Sequence, residues 1–111
     1  MNLDSNLRDT VYINNDSVCS IKKYIYNHTV INNHAKLELK AESIFYKGVS
    51  MYIKSGGTLI VDSAIIRNAI IKLEPGSVIY IKNKGEIQLC KDYQLSFPKG
   101  SYLYLSNGSI N

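Results

Sequence analysis

Tryptophan is absent from this sequence, and cysteine, proline, methionine and phenylalanine occur only twice each. Two cysteines cannot staple a chain of 111 residues at several points, so a disulfide-dense mini-protein is excluded and stability must come from a buried core. Arginine is nearly missing too. Arg8 and Arg67 are the only two, the positive side is almost all lysine, and the net charge of +4 is modest. Long apolar runs are also lacking: the longest, such as Leu59-Ile60-Val61 and Ala69-Ile70-Ile71, are far below the roughly 20 residues that span a bilayer. No membrane-spanning segment is expected. The start, Met1-Asn2-Leu3-Asp4-Ser5-Asn6-Leu7-Arg8-Asp9, has no basic opening followed by an apolar stretch, so no secretory signal is expected in this chain.

What is present points to a folded all-β domain. Hydrophobic content of 45% with 20% charge is ordinary globular usage, which argues against wholesale disorder. Helix-favouring Ala and Leu give way to Ile, Val, Tyr, Thr, Ser and Asn, residues that suit strands and turns. The length fits a single domain over residues 1–111.

An internal repeat sets the architecture. Four segments align without gaps: His34-Ala35-Lys36-Leu37-Glu38-Leu39-Lys40-Ala41, Gly56-Gly57-Thr58-Leu59-Ile60-Val61-Asp62-Ser63, Gly76-Ser77-Val78-Ile79-Tyr80-Ile81-Lys82-Asn83 and Gly100-Ser101-Tyr102-Leu103-Tyr104-Leu105-Ser106-Asn107. Their starts at 34, 56, 76 and 100 are spaced by 22, 20 and 24 residues. Residues two apart in a strand share a face, so the pairs Leu37/Leu39, Leu59/Val61, Ile79/Ile81 and Leu103/Leu105 form one inward column. Met51/Ile53, Ile71/Leu73 and Leu95/Phe97 supply a second, and Ile44, Ile65 and Ile87 mark a shorter third strand. Three short strands per repeat, joined by turns such as Glu74-Pro75-Gly76, make each repeat one rung of a solenoid, because no rung buries its apolar face alone. A β-sandwich is the competitor, but its strands have no reason to align at a fixed period.

The expectation is therefore a right-handed parallel β-helix of about four to five rungs, with residues 1–33 as an irregular N-terminal rung or cap and 34–111 as regular rungs. Gly56-Gly57-Thr58-Leu59-Ile60-Val61-Asp62 and Pro75-Gly76-Ser77-Val78-Ile79-Tyr80-Ile81 resemble the right-handed parallel β-helix repeats of bacterial secreted and surface proteins. The resemblance covers about residues 34–111, reaches more loosely to Val11-Tyr12-Ile13, and implies an extracellular or cell-surface location. That fold carries adhesins, tailspikes and polysaccharide lyases alike, so function has to be read from the residues.

The residues carry little chemistry. Asp4, Asp9, Asp16, Asp62, Asp92, Glu38, Glu42, Glu74 and Glu86 do not stack into the carboxylate pair that glycosidic chemistry requires. No Cys-x-x-Cys or His-x-x-x-His spacing supports a metal at His28 and His34, and Cys19 and Cys90 fall about three rungs apart, too far for a disulfide. No enzyme activity, metal or cofactor is expected. Lys22-Lys23-Tyr24-Ile25-Tyr26 and Lys82-Asn83-Lys84 are read as solvated turn and surface charges rather than a nucleic-acid stripe.

The outward residues of the first column are more informative. They change from Lys36/Glu38 through Thr58/Ile60 and Val78/Tyr80 to Tyr102/Tyr104, from charged to apolar and aromatic. Such a strip usually marks a covered surface. Ile60, Val78, Tyr80, Tyr102 and Tyr104 are accordingly the candidate interaction surface, with a second copy or an adjoining domain as partner and a glycan, as in a carbohydrate-binding module or a piece of a polysaccharide-active enzyme, as the alternative. Gly108-Ser109-Ile110 repeats the position of Gly85-Glu86-Ile87, so the last rung is expected to be incomplete and closed by further sequence or by another subunit.

Overall fold

The computed structural model describes residues 9–111 and contains strands and no helix. The strands are β1 (Val11–Ile13), β2 (Ser17–Cys19), β3 (Lys23–Ile25), β4 (Thr29–Ile31), β5 (Lys36–Leu39), β6 (Ser43–Phe45), β7 (Met51–Ile53), β8 (Thr58–Asp62), β9 (Ile65–Ala69), β10 (Ile71–Leu73), β11 (Val78–Lys82), β12 (Glu86–Leu89), β13 (Tyr102–Ser106) and β14 (Ser109–Ile110). Every third strand joins the same sheet through the first four turns, giving the orders β1-β4-β7-β10, β2-β5-β8-β11-β13 and β3-β6-β9-β12-β14, with all pairs parallel. The protein is a parallel β-solenoid of about five turns. No hairpin of a sandwich occurs among the described residues.

The register of the second sheet matches the sequence repeat residue for residue: Leu37, Leu59, Ile79 and Leu103 align, as do Leu39, Val61, Ile81 and Leu105. The repeat also has a backbone cause. Its first position is left-handed in all four copies, His34 at φ 65°, Gly56 at 81°, Gly76 at 88° and Gly100 at 92°, the region that glycine enters at least cost. There the chain turns into the second sheet. The ladder continues through these corners, with the N–H groups of His34, Gly56 and Gly76 donating to the carbonyls of Gly56, Gly76 and Gly100 at 3.1, 2.9 and 2.8 Å.

The first turn is complete from Val11 onward, with β1, β2 and β3 in register with β4, β5 and β6. Residues 1–8 of the expected N-terminal cap lie outside the described residues. Leu103 and Leu105 need correction: they hold the inward register yet are 36% and 52% exposed, because among the described residues no turn stacks on β13. The pair Leu95/Phe97 also departs from expectation. Residues 90–101 form no strand; Leu95 is half-buried against the core and Phe97 is 40% exposed. Pro98 lacks an N–H, and the Tyr93 hydroxyl donates to the Ile71 carbonyl, using the acceptor that a fifth strand of the first sheet would need.

In the third sheet the strands lie where Ile44, Ile65 and Ile87 mark them, and only Ile87 of the three faces the core. Ser43, Ile66 and Ile87 align and are fully buried, whereas Ile44 and Ile65 face outward, half-buried. A bulge at Arg67-Asn68 adds a residue between Ile66 and Ala69, and left-handed Asn68, at φ 57°, donates its side-chain amide to the Phe45 carbonyl at 3.0 Å.

Polar side chains brace the outer faces. The Glu74 carboxylate accepts from the Ser55 N–H at 2.8 Å and from the Tyr52 hydroxyl at 2.9 Å, and these bonds hold its pKa below the ordinary value. Glu42 is held low by hydrogen bonds from Arg67 and Lys22. A carboxylate depressed in the folded state stabilises above its unfolded pKa and loses that contribution as the pH falls through the folded value. The melting temperature should therefore fall as the pH drops below about 4.5. Glu74→Gln should start lower at neutral pH and fall less steeply, the two curves converging in acid. Parallel curves in a thermal melt series would exclude this role for Glu74.

Candidate interaction surface

The second sheet positions the predicted strip. Alternation along β8, β11 and β13 turns Leu59, Val61, Ile79 and Ile81 into the core and the residues between them outward. Parallel register then stacks Ile60 against Tyr80 and Tyr80 against Tyr104, and sets Val78 beside Tyr102. All five predicted surface residues thus come together. The Tyr80 and Tyr104 ring centres are 6.1 Å apart and tilted by 52°; those of Tyr102 and Tyr104 are 6.3 Å apart and nearly parallel at 10°. Lys82 places its Nζ 5.5 Å from the Tyr80 ring centre, within cation–π range. Ile60, Val78 and Tyr80 are half-buried, while Tyr102 and Tyr104 are each 52% exposed, so the strip opens towards the C-terminal turn.

A polar corner flanks the strip where the chain leaves the second sheet for the third. Ser63, Asn83, Lys84 and Asn107 adopt left-handed φ values there. Asp62 accepts a bond from the Asn83 amide at 2.8 Å, the main reason its carboxyl lies below the usual range. The chain finds no match among protein families, curated proteins or solved structures. The surface must therefore be read from its own chemistry: flat, uncharged across five positions, and edged by the Asp62–Asn83 pair, by Lys82 and, beside Ile60, by the Glu38–Lys40 ion pair.

The other sequence candidates are scattered. Among the described residues no three His, Cys, Asp or Glu side chains group closely enough to hold a metal. The His28 Nδ1 accepts from the Ser50 N–H at 3.1 Å, while His34 occupies a left-handed corner. Cys19 and Cys90 are both free thiols. Lys22, from the basic-aromatic run, pairs with Glu42 at 3.3 Å.

One aromatic group was only partly visible in the sequence, where Tyr24 and Tyr26 belong to the run read as solvated charge and Tyr46 was not singled out. Tyr24 and Tyr26 lie 6.1 Å apart and Tyr26 and Tyr46 5.5 Å apart, all about half exposed. The signal was the equivalence of Tyr26 and Tyr46, each directly following a strand of the third sheet. Tyr24 and Tyr26 also line a cavity of about 140 Å³ together with Ile13, Ile25, Leu37 and Leu39.

Proposed function

We propose that this chain is a non-catalytic interaction domain of a secreted or cell-surface protein, and that the strip Ile60, Val78, Tyr80, Tyr102 and Tyr104 meets another protein surface. The observation that carries this reading is the contiguity of the strip on a rigid sheet, where solvent-facing residues are normally polar. Tyrosine and aliphatic side chains on a flat face suit a protein interface, where aromatic anchors dominate the binding energy. A sugar site adds several convergent polar groups to orient hydroxyls. Here Asp62 and Asn83 bond each other at the strip's border. Extracellular location rests on the likeness of the repeats to those of secreted solenoids.

The test is light scattering across a concentration series, beside a glycan array. Tyr80→Ser/Tyr104→Ser should weaken self-association by about 2 kcal/mol or more, roughly thirtyfold, with an empty array. Unchanged association, or glycan retention that depends on these tyrosines, would overturn the proposal.

A further inference from the structure

We infer that the free edge of β13 docks a second copy of this chain, antiparallel and tail to tail, about a two-fold axis through Tyr104; the inference goes beyond the strip reading above and stands independently of it. The ladder determines which groups are available. Tyr102 donates its N–H to the Ser77 carbonyl at 2.9 Å, and the Ser106 carbonyl accepts from the Asn83 N–H at 3.1 Å. Residues of a central parallel strand bond alternately to one neighbour and the other. Tyr102, Tyr104 and Ser106 therefore face β11, and the N–H and C=O groups of Leu103 and Leu105 point to the free edge. Among the described residues no strand pairs there.

That edge carries none of the usual deterrents. Natural edge strands are blunted by lysine, proline or a bulge, whereas Tyr102-Leu103-Tyr104-Leu105-Ser106 is uncharged and runs against β11 without a register shift. The strand is also self-complementary. A two-fold axis normal to the sheet at Tyr104 sets Leu103 opposite Leu105 of the second copy, so both leucine pairs exchange their hydrogen bonds. Tyr104 then meets its own equivalent in the closer, non-bonded position. The same axis keeps the inner faces on one side, so the leucines left 36% and 52% exposed close both cores at once. The outer tyrosines of the two copies join into a single strip. A rung of 20 to 24 residues at roughly 3.3 Å each presents an end face on the order of 500 Å². Two such faces bury on the order of 1,000 Å², the lower end for a specific interface, which points to a reversible dimer.

Sedimentation equilibrium over about a hundredfold concentration range should show monomer and dimer in exchange. Leu105→Pro should weaken the dimer at least tenfold. It deletes an N–H aimed at the free edge and spares every bond to β11, so the strand circular dichroism should stay that of the wild type. A second arm uses Cys19→Ser/Cys90→Ser as background for single cysteines. Tyr104→Cys should form a disulfide-linked dimer under mild oxidation, since its equivalents lie about 4.5 Å apart. Tyr102→Cys should not, because its equivalents lie roughly 13 Å apart. A wild type that stays monomeric, a folded Leu105→Pro of undiminished affinity, or equal cross-linking at both positions would overturn the inference. Association lost in Tyr80→Ser but kept in Leu105→Pro also overturns the edge geometry and leaves the strip reading standing. The reverse pattern upholds the edge and defeats the strip.

Discussion

Val61→Asp should leave the chain without a cooperative unfolding transition at 25 °C. Val61 is completely buried between Leu39 and Ile81 in the aligned column of the second sheet. A carboxylate placed there meets only apolar side chains, and burying it unpaired costs several kcal/mol even when it protonates. Domains of this size retain only about 5 to 15 kcal/mol, and a central rung cannot move aside without unstacking the turns on both faces. Leu105→Asp, at the same column position one turn beyond Ile81, gives the contrast. Its side chain is half exposed, so in dilute protein the loss should stay within about 1 kcal/mol. Circular dichroism melts of both variants decide the matter. A Val61→Asp protein that melts within a few degrees of the wild type would show that this column is not the core.

Why the second sheet was legible and the other two were less so follows from what each strand asks of its residues. At the corner before each of β5, β8, β11 and β13 the backbone is left-handed, and three of the four copies meet that demand with glycine. The corner therefore leaves a mark in the sequence, and alternation two residues later fixes which side chains turn inward. The same register placed Ile60, Val78, Tyr80, Tyr102 and Tyr104 on one face, so the candidate strip was as readable as the core behind it. The first sheet was legible through Met51/Ile53 and Ile71/Leu73. It failed at Leu95/Phe97, where the Tyr93 hydroxyl replaces a ladder bond, something no apolar pattern announces.

The third sheet was located by Ile44, Ile65 and Ile87, but which of its residues turn inward was not legible, for two separate reasons. Its inward column contains Ser43, fully buried and bonded to the Ala41 carbonyl at 3.5 Å, so a search for aliphatic residues passes over it. The bulge at Arg67-Asn68 then breaks the alternation that would relate Ile66 to Ala69. Both features leave the strands in place and hide which residues face the core. End effects explain the rest: exposure of Leu103 and Leu105 depends on whether another turn lies beyond them, which local pattern does not encode.

The phase of this sheet has a measurable consequence at Ile44 and Phe45, adjacent residues of β6. Isoleucine at position 44 marks the strand, but Phe45 is the largest fully buried side chain among the described residues, at 1% exposure. Ile44 points outward, half-buried, and aligns with Arg67 of the next turn. Phe45→Ala removes an aromatic ring from a layer fixed above and below by backbone ladders, so the cavity collapses poorly and the loss should be about 3 to 5 kcal/mol. Ile44→Ala removes a partly solvated side chain from an outer face and should cost about 1 kcal/mol. With melting temperature moving by roughly 4 to 8 °C per kcal/mol in a domain of this size, the two variants should separate by more than about 10 °C. Urea midpoints provide the independent check, since the slope m should be unchanged in both. Equal losses, or a larger one for Ile44→Ala, would mean that β6 presents its other face to the core.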